Sequence, residues 1–237
     1  MGRLWCSAVT GSGTYDDFAR FYDDTFTDRA SQAEDAVAAQ WLQARVARDA
    51  AVLDVGCGTG WLLDHLRVDR DHYLGFDLSQ GMLAEAKRKH PAVDLALWDM
   101  NDQWPSGRWD VVAATFAAPN YAESVQDFLT QAWRSLNPGG RLLLMPWAPG
   151  ELSRVDTYMP EGLYHGSVPW SAEVARDRLG QAGFEVQEIR GLRWHRLHPP
   201  SWLPERAHEA WLSIESMTLG RVTPNVCNFL LIEAVAT

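Results

Sequence analysis

The sequence predicts an α/β domain on a doubly wound, seven-stranded, mostly parallel sheet, and three observations lead there. Short apolar runs alternate with amphipathic stretches from Ala51 to Met145, the rhythm of strands joined by right-handed helical crossovers. Val111-Val112-Ala113-Ala114 reads as a strand covered on both faces. Gly56, Gly58 and Gly60 fall where one apolar run stops and a helical pattern starts, the carboxyl-end crevice at which open parallel sheets bind ligands. A chain of 237 residues with 46% hydrophobic content suits one such domain with a full core.

The elements follow in order. Residues 1–13, with Gly2, Gly11, Ser12 and Gly13, read as a fraying end. A short helix after Thr14 carries Tyr15, Phe18, Ala19 and Tyr22. Ser31 and Glu34 have the spacing of a capping box, followed by Val37, Trp41, Leu42 and Val46 at helical spacing. Ala51–Val55 reads as the first strand, with Trp61, Leu62 and His65 on the helix behind the glycines. His72–Phe76 is the second strand, and Ser79 caps a helix with Met82, Leu83 and Ala86 inward. Val93–Leu97 and Trp109–Thr115 are the third and fourth strands, and a helix spans roughly Tyr121–Leu136. Asn137-Pro138-Gly139-Gly140 reads as a turn into a fifth strand, Arg141–Met145. A long loop carrying Pro146, Pro149, Pro160 and Gly162 follows. Ser171 then caps a helix ending near Gly183, Phe184–Arg190 is a sixth strand, and Val226–Val235 is the last. The whole reads as a single domain over 1–237, with an N-terminal helical lid at about 14–48 and a cap insertion at about 195–224.

Charge and cysteine usage narrow the function classes. The formal net charge is −10, so phosphate backbones are repelled and no nucleic-acid partner is expected. No run reaches the roughly 18 apolar residues of a membrane helix, and neither a secretory nor a myristoylation signal is readable, so no membrane partner and a cytoplasmic location are expected. Three scattered cysteines, Cys6, Cys57 and Cys227, make neither a disulfide framework nor a metal cluster, and no metal is expected. The twelve tryptophans suit a tryptophan-rich core, or walls of an apolar pocket or dimer face.

The most informative segment is Asp54-Val55-Gly56-Cys57-Gly58-Thr59-Gly60. Glycines there let backbone approach a ligand closely. Asp77 lies seventeen residues past Gly60, at the end of the next strand, where a carboxylate can accept both hydroxyls of a ribose. That role alone also fits a nicotinamide dinucleotide. The dinucleotide pattern, however, needs a third glycine at position 61, which is Trp61.

Together with Asp77-Leu78-Ser79-Gln80-Gly81-Met82-Leu83 and Leu136-Asn137-Pro138-Gly139-Gly140-Arg141, this segment resembles the class I, Rossmann-like S-adenosylmethionine (SAM)-dependent methyltransferase family, small-molecule type. The resemblance covers roughly residues 15–145. It implies a sheet whose last strand is antiparallel, SAM as methyl donor and S-adenosylhomocysteine as product. Gly56, Cys57 and Gly58 would face the methionine part of SAM, and Asp54 would order the loop or meet its ammonium. Asp77 would hold the ribose, Leu78 would pack on adenine with Met82 near it, and Asp99 and Met100 would meet the adenine edge. Thr115 and Phe116 would flank the sulfonium. The stretch Tyr15–Asp23 is similar to the lid opening of many small-molecule members, which places Tyr15 or Tyr22 against SAM.

The acceptor is then expected to be a small molecule, methylated on O or N, with a homodimer as the expected assembly. Ala118-Pro119-Asn120-Tyr121 departs from the motif of nucleic-acid amino methyltransferases, and Asn120 with Glu123 has the spacing of a helix cap. Candidate bases are His165 and His195, with His198, in the late loops. Trp147, Tyr158, Tyr164, Trp170 and Trp194 could shape an apolar pocket or shield the sulfonium. A SAM-binding regulatory or scaffold protein, and a protein or nucleic-acid methyltransferase, are the alternatives.

Overall fold

A computed structural model describes residues 13–150, 168–194, 202 and 204–237. Its seven strands are β1 (Val52–Val55), β2 (Tyr73–Asp77), β3 (Asp94–Leu97), β4 (Trp109–Ala114), β5 (Leu136–Leu144), β6 (Phe184–Trp194) and β7 (Cys227–Ala236). They form one sheet in the order β3-β2-β1-β4-β5-β7-β6. The pairs among β3, β2, β1, β4 and β5 are parallel, and β7 runs antiparallel between β5 and β6. The strand order reverses between β1 and β4, whose carboxyl ends open a crevice at the topological switch point.

Helices cover both faces. On one side α5 (Val125–Ser135) and α6 (Ala172–Gln181) bury Phe128, Leu129, Ala175 and Leu179 with Trp104 and Trp170. On the other, α2 (Arg29–Gln43), α3 (Trp61–His65) and α7 (Glu205–Met217) bury Val37, Trp41, Leu42, Leu62 and Leu212 against Val52, Val111 and Leu143. Central strand residues such as Leu53, Val112 and Leu142 are wholly buried, so continuous apolar runs rather than alternation mark these strands. The remaining helices are α1 (Gly13–Thr25), α4 (Gln80–Lys89) and α8 (Leu219–Val222). No helix among the described residues is long and apolar enough to cross a membrane.

Local signals set several boundaries as expected. Ser79 Oγ accepts from Met82 N at 3.1 Å, and Ser171 Oγ from Val174 N at 3.2 Å, each opening a helix. Others moved. The cap of α2 is Asp28, whose Oδ1 accepts from Ala30 N and Ser31 N at 2.9 and 3.2 Å. A carboxylate one turn earlier takes Ser31 N, the amide that Glu34 would have served in a Ser31–Glu34 box, and Glu34 instead meets Arg193. Asn120 does not cap α5, because Ser124 does so through Asp127 N. The Asn120 side chain is 1% exposed and ties two distant segments, accepting from Trp147 N at 2.8 Å and donating to Val168 O at 2.6 Å. The Asn137–Gly140 turn lies inside β5, where the register against β4 shifts between Trp109 and Val111. β6 continues four residues past the expected Arg190, to Trp194.

The sequence-expected cap begins with residues 195–201, which lie outside the described residues. Its described part is α7 and α8, which pack against α2 and β6, with Ser216 Oγ donating to Gly191 O at 2.9 Å.

Candidate functional site

The glycine loop leaves β1 and is stitched to the end of β2. Phe76 O accepts from both Gly56 N and Cys57 N, at 2.9 and 3.0 Å. Gly56, Gly58 and Gly60 all have positive φ, 69°, 54° and 88°, a conformation that side chains with a Cβ resist. A Cβ at Gly56 would stand 2.7 Å from Ala118 Cβ, whereas one at Gly58 would project into space open for 4 Å. The first glycine is thus required by packing, and the second borders open space.

Asp77 holds that loop. One carboxylate oxygen accepts from Gly58 N at 2.8 Å and the other from Ser79 N at 2.9 Å. Burial pushes its carboxyl above the ordinary carboxylate range, and those backbone donors oppose the rise. Leu78 beside it presents a half-exposed apolar side chain. Asp54 sits beneath the loop, 1% exposed; Oδ2 accepts from Tyr73 OH at 2.8 Å and Oδ1 makes no hydrogen bond. Burial raises its pKa to about 7. A buried carboxylate oxygen without a donor is costly unless a ligand supplies one.

A cavity of about 660 Å³ opens from the loop, within the range of small-molecule sites. Of the residues expected around the donor, Tyr15, Tyr22, Gly56, Cys57, Gly58, Thr115 and Phe116 line it. Asp54, Asp77, Leu78, Met82, Asp99 and Met100 do not. Asp77 nonetheless touches the loop, while Met82 is on the buried face of α4 at 2% exposure. Asp99 holds its own turn, with Oδ1 accepting from Asn101 N at 2.9 Å. Cys57 is buried, and desolvation pushes its thiol well above the ordinary value, so it packs rather than reacts.

Helix α1 lies over the opening. Asp16 Oδ1 accepts from Ser79 Oγ at 2.6 Å and Gly81 N at 2.7 Å, and Asp23 accepts from Thr59 Oγ1 at 2.6 Å and Lys89 Nζ at 2.9 Å. The Tyr15 and Tyr121 hydroxyls meet at 2.8 Å. At the tip of β4, Phe116 and Ala117 adopt positive φ of 39° and 69°, backbone strain of the kind that gathers at ligand sites.

Of the expected acceptor residues, His165, His195, His198, Tyr158 and Tyr164 lie outside the described residues, as does the side chain of Trp194. Trp147 lines the cavity. Trp170 does not; it is 1% exposed in the core against Phe128, a correction that follows from its place just before α6, under the sheet. Sequence reasoning missed the far wall, made by Phe26, Asp28, Glu34, Asp35, Arg193 and Phe229. It also missed His65, which stacks on Trp61 at 4.4 Å and faces Trp61 O through Nδ1 at 2.9 Å. Facing a carbonyl, that nitrogen must be the donor, so a neutral ring keeps its lone pair at Nε2.

Comparison with known proteins agrees with this geometry. Residues 52–140 match the family described as methyltransferase domain. A dTDP-3-amino-3,4,6-trideoxy-alpha-D-glucopyranose N,N-dimethyltransferase from Streptomyces venezuelae is 28% identical over 66% of this chain and 61% of its own. A demethylmenaquinone methyltransferase from Beutenbergia cavernae is 34% identical over 59% of this chain and 61% of its own. The chain thus spans about 61% of the length of these curated relatives. A solved SAM-dependent methyltransferase from Thermotoga maritima superposes with a TM-score of 0.68 over 95% of this chain and 99% of that one, at 15% identity. In sheet order the chain has the fold of that S-adenosylmethionine-dependent methyltransferase, and residues 52–140, which hold the glycine loop, match the methyltransferase domain family.

Proposed function

We propose that this protein transfers a methyl group from SAM to an O or N atom of a small-molecule acceptor, releasing S-adenosylhomocysteine. The observation that carries the proposal is one continuous cavity, running from the loop at Gly58 past Thr115 and Phe116 to a wall of aromatic and charged side chains. One end suits the donor, and the rest leaves enclosed room for an acceptor. When bound, SAM supplies a methyl group already activated on a sulfonium.

The chain's residues would then bind, orient and exclude water. Asp77 would turn its carboxylate to the ribose, Leu78 would cover adenine, Asp99 and Met100 would meet its edge, and the buried Asp54 Oδ1 would receive a donor from the amino-acid end or an ordered water. Phe116 and Trp61, edge-to-face at 4.6 Å, would shield the methyl path, where alignment of the reacting atoms supplies most of the rate. Helix α1 would serve as the lid, and α7 with α8 as the described part of the cap, within a single domain. The relatives named above act on small molecules, which supports that acceptor class. The carboxylates of the far wall disfavour phosphate-rich partners. The exposed Trp211, Ile214 and Met217 on α7 support self-association, and a cytoplasmic enzyme is the setting we infer.

Incubation with methyl-labelled SAM and a metabolite extract tests the function. Label should pass to a low-molecular-weight product, and SAM and S-adenosylhomocysteine, but not NAD, should raise the melting temperature. Binding of SAM without any transfer of label would favour the regulatory reading.

A further inference from the structure

The far wall of the cavity has a chemistry of its own. Glu34 and Asp35 are neighbours on the second turn of α2, and both line it. The Glu34 side chain is 8% exposed; Oε2 accepts from Arg193 at 2.9 Å, while Oε1 is buried and makes no hydrogen bond. Arg193 reaches it from β6 with a φ of 58°, so the backbone is held in an unfavoured region where the guanidinium meets Glu34. The other lining carboxylates are engaged elsewhere. Asp28 caps α2, and Asp23 and Asp64 both accept from Lys89, at 2.9 and 2.6 Å. One guanidinium, paired with Glu34, therefore stands beside two adjacent carboxyls, of which Glu34 also takes a side-chain hydrogen bond from Asn228 and Asp35 one from Trp61, so this wall carries more acidic groups than cations.

Facing that charge is a run of aromatic rings. Trp61 meets Phe116 at 4.6 Å, Phe116 meets Phe229 at 5.3 Å, and Trp147 meets Phe229 at 6.4 Å. Ring faces attract cations, and carboxylates attract them more strongly where water is excluded. An anion would be repelled, and a neutral polar group would leave the excess charge unanswered.

We propose that the acceptor is a protonated amine on an apolar, ring-sized body, its ammonium held by Asp35 and Glu34 and its body against the Trp61–Phe116–Phe229–Trp147 wall. This rests on the methyl-transfer reading and narrows it to nitrogen. An ammonium has no lone pair to offer, so the site must also take its proton. Asp35 is suited to that: burial, then the neighbouring charge of Glu34, push its pKa up to about 7. The transfer breaks one N–H bond and forms one O–H bond on Asp35, leaving on nitrogen the lone pair that methylation consumes. The charged and titratable groups facing Asp35 are Glu34 and the cap residue Asp28 on its own helix, Tyr22 and Asp23 from α1, Asp64 and His65 from α3, and Arg193 from β6.

Three probes of one shape test the proposal: 2-phenylethylamine, 2-phenylethanol and phenylacetate, titrated calorimetrically into the full chain saturated with S-adenosylhomocysteine. We expect the amine to bind at least ten-fold tighter than the alcohol, and the carboxylate not to bind. Amine affinity should rise between pH 6 and pH 8 with a midpoint near 7, as Asp35 ionises while the amine stays protonated. Asp35→Asn should abolish both the preference and the midpoint and leave SAM affinity within two-fold; Asp35→Ser serves if the first variant does not fold, and the three-probe comparison needs no variant. Equal binding of amine and alcohol, tighter binding of phenylacetate, or silence from all three would overturn the proposal. So would an Asp35→Asn variant that loses SAM as steeply as amine, because the carboxylates would then belong to the donor. Absence of any SAM or S-adenosylhomocysteine binding would instead sink the methyl-transfer reading itself.

Discussion

Replacing Gly81 by alanine should loosen the helix over the site while leaving the sheet intact. A Cβ at Gly81 would stand 2.7 Å from Asp16 O and 2.8 Å from Asp16 Cα, backbone atoms that cannot swing aside. Restoring ordinary contact requires α1 to retreat by about 0.7 Å. The retreat strains both hydrogen bonds that Asp16 Oδ1 accepts, from Ser79 Oγ and Gly81 N. Hydrogen bonds to a charged group are worth about 1.5–3 kcal/mol, and at this partly solvated site we take about 1 kcal/mol each, a loss of about 2 kcal/mol in docking. The change also gives α4 a better helix former, worth up to about 1 kcal/mol. The two effects act on different parts, so global melting should hardly move while α1 opens some 30-fold more often, at about 1.4 kcal/mol per tenfold. Hydrogen exchange over residues 13–25 should accelerate accordingly. Because α1 contributes Tyr15 and Tyr22 to the cavity, SAM affinity should fall by roughly ten-fold. Unchanged exchange in α1, or faster exchange with undiminished SAM affinity, would refute the idea that this clasp seats a lid on the donor site.

Other consequences can be measured independently. Asn120→Ala strips the partners of Trp147 N, which is buried, and Val168 O, which is partly buried, and at about 1–3 kcal/mol for the buried amide and about 1 kcal/mol for the carbonyl, chemical denaturation should show a loss of about 2–4 kcal/mol. Asp77→Ala removes the carboxylate that meets Gly58 N, and calorimetry should find SAM binding weaker by about 1–3 kcal/mol with the fold retained. Asp54 is raised in the folded state to about 7, so the native protein binds more protons than the unfolded chain between about pH 4 and pH 7, and ligand-free stability should fall as pH rises through that window. A shift of about three units caps the Asp54 share at about 4 kcal/mol. In Asp54→Asn, which keeps an acceptor for Tyr73, the decline between pH 5 and pH 8 should be shallower; an equally steep decline would mean that other groups carry it.

The sequence by itself determined what depends on neighbours along the chain. Buried strands appear as unbroken apolar runs, Ser79 and Ser171 declare their helices within four residues, and Gly56 and Gly58 are marked because few other residues tolerate their φ. Asp77 was legible for the same reason, since its distance from the glycines is fixed by one crossover. Tertiary structure decided the rest. Glu34 has the spacing of a capping residue, and only the return of β6 brings Arg193, 159 positions away, to claim it. Asn120 looked like a cap until the folded chain delivered Trp147 and Val168 to its amide. Asp35 carries no local signal; its raised pKa arises because α2, α3 and the late strands enclose it with a second carboxylate. Short-range patterns record hydrogen bonds made within a turn, whereas burial and charge coupling depend on which distant segments close over a side chain.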